Sequence, residues 1–162
     1  MFSSIFPNLQ LLDLSVCYYI SIEDVCEFLK RCRKIRHLNL ARSFGGKLCG
    51  MNFEAPKLEV LNLSETRVDD DTLYVISKSC PKLLQLDLAR CHCVTDKGLN
   101  HVVENCTQLR ELNLRNCDNV HRDVLASLIL SRPSLRKLTT PYRDDFSDQE
   151  MELLSHQGCI VC

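Results

Sequence analysis

The sequence predicts an α/β solenoid, in which short parallel strands and helices alternate along one axis. Three observations predict it: a leucine block recurs six times, the blocks are evenly spaced, and segments with helical periodicity lie between them. The chain has 162 residues, of which 45% are hydrophobic and 25% charged, and this is enough for one domain with a sizeable core. We therefore expect a single repeat domain over residues 1–162.

Each leucine block is predicted to form one strand. The spacing L-x-x-L-x-L sends alternate side chains of a short strand into a core, while the earlier leucine turns inward from the approach loop. Successive blocks begin 26, 23, 25, 26 and 26 residues apart, and the last one is weaker than the others. The strand blocks lie near residues 9–17, 35–43, 58–66, 83–91, 109–117 and 135–143.

Helices are predicted over residues 68–80 and 94–106, where apolar side chains recur at helical spacing. Thr95 and Ser147 supply oxygen side chains where helices should begin, so the repeating unit is strand, turn and helix. The second repeat departs from this pattern. Residues 44–54 contain three glycines and no helical stripe, and we expect irregular structure and the most mobile point of the array there.

Composition excludes several classes of protein. The 20 Lys and Arg residues nearly cancel the 21 Asp and Glu residues, so no global charge attracts nucleic acid or an anionic membrane. No apolar run approaches the length of a spanning helix, and the first residues do not resemble a secretory signal. Eleven cysteines, an odd number, favour a reduced compartment, and we expect a cytoplasmic or nuclear protein, or both.

The repeats resemble a known family. The pattern C-x-x-L-x-x-L-x-L-x-x-C, followed by a short turn and Val-Thr-Asp, occurs over residues 80–99 with almost no departure. It resembles the cysteine-containing leucine-rich repeats of F-box/LRR proteins, the substrate receptors of Skp–cullin–F-box ubiquitin ligases. The resemblance covers roughly residues 5–160 and implies a leucine-rich repeat solenoid. This would be a right-handed α/β horseshoe arc of about six repeats of 23–26 residues, with parallel strands on the concave face and helices on the convex face.

The resemblance also implies a function. The chain would bind a protein substrate for ubiquitin-dependent degradation and perform no chemistry itself. The F-box that would hold the Skp adaptor has no counterpart in these residues, so contact with a Skp–cullin ligase would need an F-box outside them. The alternative is a free-standing leucine-rich repeat adaptor or regulator that works outside any ligase.

Strand side chains that alternate with the core leucines are expected to line the concave face and to bind the partner. The candidate residues are His37, Asn39, Asn62, Gln85, Asp87, Arg90, Glu111, Asn113, Arg115 and Lys137. The Asp and Asn members of this set could contact a partner, but satisfying neighbouring backbone or side-chain groups is the favoured interpretation. The arginines suggest an acidic or phosphorylated partner, whereas the interleaved acidic residues also fit a merely soluble surface.

Six cysteines are explained by the repeat register as two packing columns. They are Cys32, Cys80 and Cys106 before the strand blocks, and Cys17, Cys91 and Cys117 after them. A zinc site at residues 91–93 and a redox pair at residues 159–162 are disfavoured alternatives. No catalytic motif is present, and we expect no enzyme activity, no cofactor and no metal.

The last four residues, Cys-Ile-Val-Cys, have the C-a-a-X form of a prenylation signal, with Cys159 as the lipidated residue. Gly158 would end the last helix and leave this tail free. The preceding segment is acidic, however, and a single lipid without a basic partner segment attaches only weakly. Packing of Cys159 under the final repeat is the favoured interpretation, and membrane contact is expected only if Cys159 is prenylated.

Overall fold

A computed structural model describes residues 6, 8–44, 53–142 and 145–162. Within these residues one sheet contains seven strands, and each strand pairs in parallel with the next strand along the chain. The strands are β1 (Leu11–Asp13), β2 (His37–Asn39), β3 (Val60–Asn62), β4 (Gln85–Asp87), β5 (Glu111–Asn113), β6 (Lys137–Thr139) and β7 (Ile160–Val161). Each of the first six strands is a three-residue core of one leucine block.

Helices return the chain between most of these strands. They are α1 (Ile22–Arg31), α2 (Asp70–Ser79), α3 (Asp96–Asn105), α4 (Arg122–Ser131) and α5 (Asp148–Ser155). The two segments with helical periodicity contain α2 and α3, as expected. The irregular and mobile segment expected at residues 44–54 falls mainly on residues 45–52, which lie outside the described residues.

The sheet register aligns the middle residues of β1 to β6 and Val161 of β7 into one column, which is buried from β2 onward. Leu112 of β5, for example, lies between Leu86 of β4 and Leu138 of β6. From β2 to β7 this middle or final apolar residue is at most 9% exposed, and the leucine two positions after it is also buried in four repeats. The structure thus confirms the α/β leucine-rich repeat solenoid and the strand register that the leucine spacing predicts.

A seventh strand extends the six that the leucine blocks predict. The Ile160 amide donates to the Arg136 carbonyl, and the Cys162 amide donates to the Leu138 carbonyl, at 2.8 and 2.9 Å. Gly158 ends the last turn with a φ of 80°, as a left-handed residue, and the chain then enters the sheet. The tail is therefore part of the sheet, as the favoured packing of Cys159 implies and unlike the alternative of a free tail. Backbone pairing with β6 does not require the leucine pattern.

Side chains at both ends of the helices set where they begin and end. Ser21, Asp69, Thr95 and Ser147 accept amide N–H bonds as N-caps, and Ser147 forms a full capping box with Glu150. The first cysteine column lies at the other end. Cys32, Cys80 and Cys106 are the C-caps of α1, α2 and α3, and each amide donates to the carbonyl four residues earlier.

Candidate protein-binding face

The side of the sheet that points away from the helices is called the open face here. The first residue of each strand is exposed or half-buried on this face, whereas the third residue of β2 to β6 is half-buried. The open face therefore carries the candidate residues in two columns. The first column is Leu11, His37, Val60, Gln85, Glu111, Lys137 and Ile160, and the second is Asp13, Asn39, Asn62, Asp87, Asn113 and Thr139.

The Asp and Asn residues of the second column hold the turn after each strand. The side-chain Oδ1 atoms of Asn39, Asn62, Asp87 and Asn113 each accept the amide N–H two residues later, at 2.9 to 3.1 Å. Asp13 does the same with the Ser15 amide at 2.8 Å, and the Ser15 hydrogen bonds lower the pKa of its carboxyl. These contacts favour a structural role for the column over direct partner recognition.

Some members of the second column also join neighbouring repeats. The Asn39 Nδ2 donates to Asp13 Oδ2, and the Asn113 Nδ2 donates to Asp87 Oδ2, both at 3.1 Å. An amide in one repeat thus faces a carboxylate in the preceding one. The column is a hydrogen-bonded ladder at these two steps, which the sequence interpretation had left open.

The residue after each of these turns has a left-handed backbone that sequence reasoning did not detect. The five residues share φ values between 56° and 61°, and they are Val16, Arg42, Glu65, Arg90 and Asn116. Each amide donates to a carbonyl of the following repeat; that of Arg90, for example, lies 2.7 Å from the Arg115 carbonyl. Glycine or asparagine is the usual signal of this conformation, and four of these five residues carry no such signal.

Several charged candidates are already paired at the surface. Glu65 lies between Arg42 and Arg90, with nitrogen to oxygen distances of 3.3 and 3.6 Å. The Gln85 Nε2 donates to the Glu111 Oε1 at 3.0 Å. Arg90 is therefore one end of an exposed charge network, whose contribution to stability is small because water screens it.

Two adjacent depressions lie on the open face and at its C-terminal end. The first has a volume of about 270 Å³ and spans β3 to β6 between Val60 and Thr139. The second has a volume of about 590 Å³ and is lined by Arg115, Tyr142 and Cys162 among others. Thr139 lines both depressions, so they are neighbours on this surface.

Asp118 organises the rim beside the second depression. Its two carboxylate oxygens accept from the Tyr142 hydroxyl at 2.8 Å and contact the His92 Nδ1 at 2.9 Å. The hydrogen bond to Asp118 raises the pKa of Tyr142 above its usual value. These three side chains come from three consecutive repeats, which is why their proximity could not be read from the sequence.

The second cysteine column donates hydrogen bonds inside the core. The Cys91 and Cys117 thiols donate to the Leu63 and Leu88 carbonyls of the preceding repeats at 3.2 and 3.0 Å. The Ser43 hydroxyl makes the equivalent bond to the Leu14 carbonyl. Burial raises the pKa of Cys91 to about 11 and that of Cys117 to about 12. The sequence predicts only packing for this column, but its buried thiols also donate hydrogen bonds.

The side chains of residues 91–93, the disfavoured zinc site, differ in exposure. The Cys91 thiol is buried, whereas the His92 and Cys93 side chains are exposed, so the three do not face one centre. Over the part of the chain that is described, no group of three or more His, Cys, Asp or Glu side chains is placed to hold a metal ion.

The two C-terminal cysteines differ in exposure. Cys159 is 2% exposed, and burial raises the pKa of its thiol, whereas the Cys162 side chain is exposed. None of the helices in the described ranges is long and apolar enough to cross a membrane.

Comparison with known proteins identifies the repeat type. A family pattern described as a leucine-rich repeat matches residues 79–100. The chain is 30% identical over 161 residues to F-box/LRR-repeat protein 4 of Bos taurus. This alignment covers 94% of this chain and 26% of that protein. It is 28% identical over 123 residues to putative F-box/LRR-repeat protein 23 of Arabidopsis thaliana, covering 70% of this chain and 27% of that protein. The chain thus spans about a quarter of the length of these relatives.

Solved structures with the same fold belong to proteins of different kinds. A chain in the crystal structure of the yeast Rad7 and Elc1 complex superposes with a TM-score of 0.60 at 20% identity, covering 85% of this chain and 37% of that chain. Leiomodin-1 actin-binding site 2 superposes with a TM-score of 0.59 at 18% identity, covering 96% of this chain and 84% of that chain. At such identities the likeness establishes the fold alone.

Proposed function

Because the chain is a leucine-rich repeat region of the kind found in F-box/LRR-repeat proteins, we propose that it is the substrate-recognition module of a ubiquitin ligase receptor. The open face holds a protein partner, so that an attached ligase can ubiquitinate it for degradation. The chain acts by binding and not by catalysis. Contact with the Skp–cullin ligase is made by an F-box that lies outside these residues.

One observation carries this proposal. The similarity to F-box/LRR-repeat protein 4 extends over 94% of the chain and so includes nearly all of its repeats. The geometry of the open face supports it, because exposed or half-buried side chains from seven consecutive strands are held in register by a column of mostly buried leucines. Such a surface is rigid before binding, which lowers the entropy cost of holding a partner.

The depressions on the open face also favour a protein partner. Both are broad and open to solvent, and both are lined by a mixture of polar and apolar side chains. Small-molecule sites usually bury most of the ligand in an apolar cleft. We further propose a cytoplasmic or nuclear location, where a ubiquitin ligase would act and where free thiols would stay reduced.

The test is co-purification of the full-length protein from its own cells, carrying a small affinity tag. We expect a Skp-type adaptor and a cullin to co-purify, together with protein partners whose half-life lengthens when cullin activity is inhibited. Recovery of protein partners without adaptor or cullin would contradict the ligase role. That result would support the alternative, a free-standing repeat adaptor.

A matched pair of variants tests the role of the open face in the same experiment. Replacing both His37 and Gln85 by alanine removes two exposed side chains of the open face and leaves the hydrogen-bonded ladder intact. The control is Lys97→Ala, an exposed substitution on helix α3. We expect the double variant to lose the degraded partners and to keep the adaptor, while the control keeps both. Equal retention of the partners in both variants would contradict binding at this face.

A further inference from the structure

Arg115 breaks a regular pattern at the end of the strands. The position two residues after the second column is occupied by Ser15, Ala41, Ser64 and Ala89 in the first four repeats, and by Arg115 in the fifth. A small side chain is therefore compatible with the fold at this position in every repeat before it. Arg115 is exposed and lines the second depression. The fold does not require its guanidinium group at this position.

The carboxylates at or beside the two depressions already have hydrogen-bond partners. Asp87 accepts from the Ala89 amide and from Asn113, at 2.9 and 3.1 Å. Glu111 accepts from Gln85. Asp118, on the rim, is held by Tyr142 and His92. Their acceptor oxygens thus already have donors within the protein.

The cationic side chains that line the two depressions are Arg115 and Lys137, and their pairing differs from that of the carboxylates. Within the described residues, the Arg115 guanidinium and the Lys137 ammonium make no side-chain hydrogen bond or ion pair. Lys137 lines the first depression, Arg115 lines the second, and Thr139 joins them. Lys137 lies beside Glu111 in the sheet register, and Arg115 follows Glu111 by four residues.

We propose that this surface, formed by Arg115, Lys137 and Thr139 and called the anion trough here, binds an extended segment of the partner protein through an anionic side chain. The anion is a carboxylate or a phosphate, because the planar fork of a guanidinium pairs with either through two parallel hydrogen bonds. Lys137 supplies a second positive charge along the same segment. The inference rests on the proposed function, since it names the chemistry of the partner at the open face.

The test measures binding of synthetic peptides to the full chain. Random short peptides are printed as matched triplets that carry Glu, phosphoserine or Gln at one central position. We expect a group of triplets in which the Glu or phosphoserine member binds at least tenfold more tightly than the Gln member. The Glu and phosphoserine members show whether the trough prefers a carboxylate or a phosphate.

Two variants separate the trough from general electrostatics. Arg115→Ala should lower the affinity of the anionic peptides at least about tenfold, which corresponds to about 1.4 kcal/mol. The control is Arg67→Ala, which removes an equal charge from an exposed residue that lines neither depression and should leave affinity unchanged. The thermal unfolding midpoint of each variant confirms that it is folded. Binding that is equal for all three peptide classes, or that falls equally in both variants, would overturn the proposal.

The outcomes also separate this inference from the proposed function. Adaptor and cullin that co-purify with the full-length protein, together with no anion-dependent peptide binding, would overturn the trough alone. Peptide binding that depends on Arg115, together with no adaptor or cullin, would overturn the ligase role and leave the trough in place.

Discussion

The Asn113 side chain forms hydrogen bonds both to the preceding repeat and to the turn that follows its own strand. Its Oδ1 accepts the Arg115 amide, and its Nδ2 donates to Asp87, both at 3.1 Å. The Asn113 side chain is half-buried. If it were removed, water could reach the Arg115 amide and the Asp87 carboxylate only in part. At the scale of the residue, the column that resembles a binding motif therefore acts first as a hydrogen-bonded ladder.

We predict that Asn113→Ala lowers the free energy of unfolding by about 1 kcal/mol, because it removes two hydrogen bonds that water replaces incompletely. Urea unfolding measures the change. The matched variant is Asn113→Asp, which keeps the acceptor for the Arg115 amide but loses the donor and faces the Asp87 carboxylate. An unchanged unfolding midpoint in both variants would show that the ladder contributes nothing.

Leu112→Ala should cost more, about 2–5 kcal/mol, because it opens a cavity between Leu86 and Leu138 in the buried column. Thermal or urea unfolding of the variant measures this loss. A neutral result would mean that Leu112 points to the open face, since a slip of one residue exchanges the two faces of a strand.

The buried thiol of Cys117 should make stability depend on pH in the alkaline range. Burial raises its pKa from 9.0 to about 12, so the folded chain holds this proton more tightly than the unfolded chain does. The stabilisation is complete below a pH of about 9 and is lost as the pH rises from there toward 12. Urea unfolding midpoints between neutral pH and pH about 10 measure the loss.

Cys117→Ser is the matched variant for this pH dependence. A hydroxyl occupies the same position at Ser43 and Thr66, so the hydrogen-bond donor is kept and the titrating thiol is removed. We expect the unfolding midpoint of the variant to fall less between neutral and alkaline pH than that of the natural protein. Parallel curves for the two proteins would contradict the prediction.

At the scale of the element, α2 and α3 pack closely because one residue of α3 has no side chain. A Cβ atom added to Gly98 would overlap the Asp70 Oδ1 and lie 3.0 Å from the Leu73 Cδ1. Asp70 cannot simply move away, because its carboxylate accepts from the amide and the hydroxyl of Thr95 at 2.9 and 2.6 Å. The helix contact and the N-cap of α3 therefore depend on the same glycine.

We predict that Gly98→Ala destabilises the protein by about 1–2 kcal/mol, since overpacking outweighs the roughly 1 kcal/mol that alanine gains over glycine in a helix. Asn100→Ala, on the exposed side of α3, is the control and should be neutral or slightly stabilising. Urea unfolding compares the two variants. A stabilised Gly98→Ala would show that the helices can separate to admit a methyl group.

At the scale of the whole molecule, each repeat is held by its neighbours along one axis. Strand pairing, the hydrogen-bonded ladder and the buried thiol bonds all run between consecutive repeats. Most of the described cysteines are buried within this stack, while Cys93 and Cys162 are exposed. The solenoid itself therefore determines which thiols are accessible to reagents.

In a reduced preparation we predict that all eleven thiols react with an alkylating reagent after denaturation. In the folded protein, Cys93 and Cys162 should react first, because burial and a raised pKa protect Cys80, Cys91 and Cys117. Peptide mass analysis of labelled protein measures the order. A chelator should leave the helical circular dichroism signal unchanged, and a clear loss of that signal would indicate a structural metal.

The positions and register of six strands were determined by the sequence alone. Leucines at alternate positions, such as Leu86 and Leu88, can be buried together only if their segment is extended, and the even spacing of the blocks aligns each with the next. Thr95 and Ser147 were recognisable as helix starts because a side-chain oxygen close to the first free amides is a local feature. Local patterns therefore predicted most of the fold.

Tertiary structure decided what depends on neighbours in other repeats. Val161 enters a seventh strand because the free edge of β6 pairs with it, although no leucine pattern marks it. Asn113 is a ladder residue because Asp87 lies one strand away, at a distance that sequence spacing does not report. The same holds for the candidate site: Arg90 is paired through Glu65, and Arg115 is not paired within the described residues. Charge and hydrogen-bond pairing depend on distances of a few ångströms between chain segments about 26 residues apart, and only the folded solenoid sets those distances.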